Sequence, residues 1–294
     1  MTRPRSTHDR QLGPCLGLFL ALLSTASAGL AQVTVLAASD DIVAYESPEL
    51  GEELIPSFVY TFPEPSAIFA IEHTADGRLW GIDSSSSPPR LVDIDLENQE
   101  AIPIATVDNL CQSDLAISPS GTVWCSFPGE IRRLEPPLYE TTQIVDVPGS
   151  GVGISFLGDR LFVSWEFNDL FLGEVNQNTG AITTLGTIEI PEDAQNPFGH
   201  LVYYMSFDSI GRLWMSIFNP GGFPNTGDST LGMLPDIFES LEIDAVSPLS
   251  PTGAGAVVAL GTRSVVNVPT ASAVGLATLA LLLAALGAWK LRAR

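Results

Sequence analysis

Ala75-Asp76-Gly77-Arg78-Leu79-Trp80 is the stretch on which the fold turns, because its form returns three times in the 294-residue chain. Pro119-Ser120-Gly121-Thr122-Val123-Trp124, Leu157-Gly158-Asp159-Arg160-Leu161-Phe162 and Ser209-Ile210-Gly211-Arg212-Leu213-Trp214 each hold a turn followed by an aromatic-ended strand. Glycine supplies the positive φ that tight turns need. A short β-type run precedes each turn: Ile68 to Ile71, Leu115 to Ile117, Val152 to Phe156 and Tyr203 to Phe207. Each unit therefore predicts a hairpin.

A second pair of runs follows each hairpin. These are Arg90 to Asp95 with Ala101 to Val107, Ile131 to Leu134 with Gln143 to Val147, Leu170 to Val175 with Ala181 to Gly186, and Leu231 to Leu234 with Leu241 to Val246. The repeat is then a four-stranded meander. Its anchors Trp80, Trp124, Phe162 and Trp214 are 44, 38 and 52 residues apart; of two predicted loop insertions, 192–200 falls in the longest interval and 219–229 follows Trp214. Four-stranded units at this period predict an all-β fold, a β-propeller of about five blades, of which four are plain. A β-sandwich, which also has regular short strands, is the competing architecture. Aromatics at the same place in successive repeats point to packing between blades rather than to ligand stacking.

These hairpins resemble the broad set of bacterial propellers with Asp-Gly-x-Leu-Trp turns, of NHL, regulator and virginiamycin-lyase type. The resemblance covers residues 56–262 and speaks to architecture more than to activity. It implies that Val33 to Phe62 and Ala254 to Val266 complete a composite blade, with a strand at Phe58 to Phe62 pairing to C-terminal strands. The predicted division is a signal peptide at 1–31, an N-terminal segment or linker at 32–55, the propeller at 56–266, and a sorting motif, transmembrane helix and basic tail at 267–294.

The two ends read as address labels. Arg3, Arg5 and Arg10 precede a short apolar run, Cys15 to Leu23, and then small residues with candidate cleavage sites after Ala28 and Ala31. That is the plan of a secretory signal. Ala271 to Trp289 is 19 residues without charge, enough to cross a bilayer, and Lys290, Arg292 and Arg294 follow it. Positive residues stay cytoplasmic, so the bulk of the chain is expected on the outer side of the inner membrane. Val268-Pro269-Thr270, Ser272, Gly275, the Ala/Leu helix and the basic end resemble the IPTL-CTERM class of bacterial sorting signals and the related PEP-CTERM tails. The chain differs from their usual pattern at Ala271 and at Ala273-Val274. The resemblance implies an exported envelope or surface protein whose tail is cut by a sortase-like membrane enzyme; the alternative is a plain C-terminal anchor.

Charge sharpens once the labels are set aside. The chain has 13 Lys+Arg and 34 Asp+Glu. Removing Arg3, Arg5, Arg10 and Asp9 from one end and Lys290, Arg292 and Arg294 from the other leaves seven Arg and 33 carboxylates, a net of −26 with no lysine. Such a surface excludes a general nucleic-acid binder, which needs basic groups to replace phosphate counterions. Two cysteines remain, Cys111 and Cys125. In an oxidising compartment the default expectation is a disulfide. A tight turn at Ser118 to Gly121 argues the other way, because it sets Cys125 opposite Leu115 unless the chain before Leu115 bends back.

The candidate chemistry is sparse. Asp93, Asp95 and Glu97 alternate along the chain and offer oxygens to Ca²⁺, although the EF-hand glycine and spacing are missing. A solvated turn is the plainer reading. His73 and His200 are the exported histidines, and neither has a His-x-x-x-His or His-x-Glu-x-His partner, so the metal-assisted chemistry of the lyase-type propellers does not carry over. No Gly-x-Ser-x-Gly, phosphate loop, Cys-x-x-Cys or His-Glu-x-x-His is present. Two functional classes follow. One is a non-enzymatic binding or structural module of the envelope with a protein or saccharide ligand. The other is a metal-assisted lyase or hydrolase acting at the channel.

Overall fold

The computed structural model describes residues 33–38, 41–46, 50, 54, 56–63, 67–111, 113–191, 201–218, 229–243, 246–248 and 256–261. The predicted signal peptide, the insertion loop at 192–200, nearly all of that at 219–229, Val268, Pro269, Thr270 and the apolar run 271–289 lie outside them.

The described strands form five four-stranded antiparallel sheets. The chain begins with β1 (Val33–Ala38), β2 (Asp41–Glu46) and β3 (Phe58–Thr61), which await an inner strand from the far end. The first complete blade is β4 (Ile68–His73), β5 (Leu79–Asp83), β6 (Arg90–Asp95) and β7 (Glu100–Thr106). The second is β8 (Leu115–Ile117), β9 (Val123–Phe127), β10 (Glu130–Glu135) and β11 (Glu140–Asp146). The third is β12 (Ser150–Leu157), β13 (Arg160–Phe167), β14 (Asp169–Val175) and β15 (Ile182–Thr187). The fourth is β16 (Leu201–Phe207), β17 (Leu213–Phe218), β18 (Ser229–Leu234) and β19 (Val246–Pro248). Finally β20 (Ala256–Gly261) pairs with β1, so the fifth blade has the order β20-β1-β2-β3. The inner strands β4, β8, β12, β16 and β20 neighbour one another around a closed ring. The fold is a five-blade β-propeller.

Three expectations are corrected. Phe58–Thr61 does not pair with the C-terminal strand; it lies at the outer edge of the fifth blade against β2, and β1 makes the closure through Val33↔Gly261 to Ala38↔Ala256. Segment 32–55 is therefore not a linker, because β1 and β2 are interior strands of that blade. Their apolar runs, Val35 to Ala38 and Ile42 to Tyr45, are buried as sheet interior. In the fourth blade the outer strand is not Leu241 to Val246 but Val246–Pro248, while Glu242 forms a parallel bridge with Glu189 of the third blade's exit segment.

Each hairpin turn is built from its sequence. In the first, second and fourth blades, Thr74, Ser118 and Asp208 accept the N–H of Gly77, Gly121 and Gly211 at their carbonyls. Their side chains accept the N–H of Arg78, Thr122 and Arg212. The glycines have φ of +87°, +85° and +92°, which an L side chain adopts only with strain. The third blade uses the two-residue turn Gly158-Asp159 instead.

The anchors pack between blades. Trp80 meets Tyr139 of the second blade edge to face at 6.1 Å, and Phe162 meets Phe207 of the fourth at 5.3 Å. Trp124 is buried with Val152, Ile154 and Val163 of the third blade, and Trp214 with Val35, Val43 and Tyr45 of the fifth. Each anchor thus fills the gap to the next blade. Two residues earlier on the same strand face, Arg78, Arg160 and Arg212 stack over Trp80, Phe162 and Trp214 at 5.4, 5.1 and 5.4 Å. The gap between fifth and first blades is filled by aliphatics, Leu36 and Ile42 with Ile68, Ile82 and Leu91.

Closure by β20 makes two truncations differ sharply. A chain ending after residue 266 should melt within about 2 °C of the longer exported chain, whereas one ending after residue 254 should lose its cooperative transition, because β1 and both flanking inner strands lose a partner. Circular dichroism melts decide this. Trp124→Ala, at a fully buried anchor, should cost about 3–5 kcal/mol in denaturant unfolding.

Candidate functional site

The innermost strand of a blade is hydrogen-bonded on one side only, so its other edge presents N–H groups to the ring axis. Asp114, buried at the entry to β8, answers this. One carboxylate oxygen accepts the N–H of Leu115 at 2.9 Å. The other accepts the N–H of Ile154 in β12 at 2.8 Å and of Met205 in β16 at 3.0 Å. One side chain thereby ties three blades. Nearby, Ser155 Oγ accepts the N–H of Phe207 at 3.1 Å, and Ser126 Oγ donates to the Val152 carbonyl at 2.7 Å. Burial pushes the Asp114 carboxyl well above the usual carboxylate range; the backbone N–H donors oppose the rise and the charge of Glu72 adds to it.

The axis opens, at the end carrying the inner hairpin turns, into a cavity of about 690 Å³. Its charged lining is committed locally. Glu72 is buried and accepts the backbone N–H of His73 at 2.8 Å, with His73 Nδ1 2.7 Å away. Asp76 accepts from the Thr74 hydroxyl and from Arg78 Nε. Asp208 accepts from the N–H groups of Ile210 and Arg212, from Arg212 Nε at 2.6 Å and from Trp214 Nε1 at 3.1 Å. Ile117, Phe156 and Phe207 give the cavity apolar wall.

His73 is thus at the cavity, while His200 lies outside the described residues. Asp93, Asp95 and Glu97 are not drawn together into a cradle. Asp93 accepts from Arg78 Nη1 at 3.0 Å across the β5–β6 pair. Asp95 caps the β6–β7 turn, where the Asn98 backbone N–H and then its side-chain amide hold the carboxyl below its usual range. Glu97 is exposed in that turn. Among the described residues no three His, Cys, Asp or Glu side chains converge as a metal group. The Sγ atoms of Cys111 and Cys125 are 1.99 Å apart. Leu115 does face Cys125, but the chain before it bends back: the Cys111 N–H donates to Asp108 and the Ser113 N–H to Ser126.

Sequence reading missed Asp114. Aligning the repeats on their aromatics sets it in one column with Ala70, Val152 and Tyr204, each at or beside a register irregularity in its inner strand. A lone acid in an otherwise uncharged column was the available signal.

No protein-family model matches the chain, and none of the curated proteins is similar to it in sequence. Several solved structures are similar to it. A protein of unknown function from Bacteroides caccae is 10% identical with a TM-score of 0.50, the match covering 78% of this chain and 99% of that one. TolB from Acinetobacter baumannii is 11% identical with a TM-score of 0.44 over 82% of this chain and 69% of that one. A virginiamycin B lyase from Staphylococcus aureus is 14% identical with a TM-score of 0.37 over 66% and 70%.

Asp114→Ala should destabilise by about 3–5 kcal/mol, since it leaves three buried N–H groups unpaired. The pH dependence has a definite sign. An acid whose folded pKa is raised contributes stability that is full below its unfolded value, near 3.9, and is lost as pH rises through the folded value. The stability of wild type relative to Asp114→Asn should therefore fall as pH increases from about 4. A pH-independent difference between their urea midpoints would contradict this.

Proposed function

We propose that the chain is an exported β-propeller held at the bacterial envelope, and that the cavity at its hairpin-turn mouth binds a ligand without chemistry. The cavity carries this reading. Its volume, about 690 Å³, falls in the range of small-ligand sites. Its lining joins apolar walls to carboxylates already engaged in capping turns, an arrangement that supports holding a ligand more than transferring a proton. Glu72, Asp76 and Asp208 disfavour anions there. The ligand class proposed is a short saccharide or the tip of a peptide loop with no net negative charge.

The signal-like start and the apolar, basic-ended tail support the address. Export fits the proposed Cys111–Cys125 bond, and the −26 charge of the exported part supports a freely hydrated surface. The tail resembling sorting signals supports processing by a sortase-like enzyme.

Glycan and peptide arrays test the binding reading. Ser209, exposed on the cavity rim, offers a variant that fills the mouth without touching the core. Ser209→Trp should weaken any captured ligand at least tenfold, while Phe167→Ala at the opposite end of the ring should not. Equal binding by both variants would place the site elsewhere. Turnover of a saccharide or ester that stops on chelation would replace the binding reading with metal-assisted chemistry.

A further inference from the structure

Four blades join their inner and second strands by a hairpin at the cavity end: β4 to β5, β8 to β9, β12 to β13 and β16 to β17. The fifth blade has no such hairpin. Its inner strand β20 ends at Gly261 directly opposite Val33, the first residue of β1. The place of the fifth turn is therefore held by two chain crossings, one entering at Val33 and one leaving at Gly261. Both lie at the end of the ring that carries the cavity-lining turn residues Ala75, Pro119, Leu157 and Ser209.

The departing chain is short. Nine residues, 262–270, separate Gly261 from the apolar run 271–289. Nine residues reach at most about 30 Å. The ring itself is thick on this scale. β13 runs from Arg160 at the cavity end to Phe167 at the other over eight residues, about 23 Å. Presenting the far face to the membrane would force the tether past the whole ring wall, using nearly all its reach. Presenting the near face costs it nothing.

We propose that the hairpin-turn face, with the cavity in it, looks toward the bilayer that holds the tail. The inference rests on the anchored form of the reading above, and not on the identity of any ligand. Its consequence is that the mouth opens onto the gap between ring and headgroups while the tail is intact. Repulsion between the −26 exported part and anionic lipid keeps the gap from closing. Cutting the tail removes the constraint and exposes the mouth to the open medium.

Energy transfer to a lipid-borne acceptor tests the orientation in the full chain reconstituted in phosphatidylethanolamine/phosphatidylglycerol vesicles without reductant. One donor is placed at Asp159→Cys, in the exposed third-blade hairpin turn, and one at Phe167→Cys, 65% exposed at the opposite end; the chain without an added cysteine sets the background. Transfer from position 159 should exceed that from 167 severalfold. Inserting 20 Gly/Ser residues between 266 and 267 should bring the two together. Equal transfer without the insertion, or stronger transfer from 167, overturns the proposal. A full chain that fails to float with the vesicles overturns the anchor reading and the orientation with it, and leaves ligand binding by the soluble ring to be judged on the arrays.

Discussion

A ring of sheets must satisfy the inward edge of every inner strand, and in this protein one carboxylate meets much of that demand. Asp114 accepts N–H groups from the second, third and fourth blades. Among the described residues no cation pairs with it, and burial raises its pKa. Its three N–H contacts, two of them to neighbouring blades, hold the inner strands at fixed spacing. The cavity at the mouth inherits its shape from that spacing, since its walls are the ends of the same strands.

Packing between blades follows from a different rule. In four blades an aromatic near the start of the second strand fills the space to the next blade, and in three of them the arginine two residues earlier covers its ring. The fourth blade adds a further lock, Asp208 to Trp214 Nε1. Thr74 and Ser118 occupy the same turn position with shorter side chains. The indole N–H groups of Trp80 and Trp124 have no such bond. The turns are thus alike in backbone and unequal in the way they hold their aromatics.

This explains what was legible in the sequence. The Gly turns and anchors repeat because four interfaces have one solution, so Trp80, Trp124, Phe162 and Trp214 could be aligned and the meander read off. The fifth interface uses Leu36, Ile42 and their aliphatic partners, which carry no turn or aromatic signature. β1 and β2 therefore fell between two readings, an N-terminal segment or linker and part of a composite blade, and the pairing to the C-terminal strands was assigned to Phe58 to Phe62. Asp114 was illegible for another reason. Its function depends on N–H groups 40 and 91 residues away, and no local spacing encodes that. Asp93, Asp95 and Glu97 show the converse. Their alternation suggests a shared cation from the sequence alone, and the fold adds partners that spacing does not show, Arg78 for Asp93 and Asn98 for Asp95.

Hydrogen exchange at single-residue resolution tests the axial constraint most directly. Ile154 and Met205 donate from the inward edges of their strands, where no strand covers them. If Asp114 binds them as described, their amides should exchange only through global unfolding, as slowly as the slowest amides of β13. Exchange at rates typical of an open sheet edge, with the ring otherwise folded, would contradict the account.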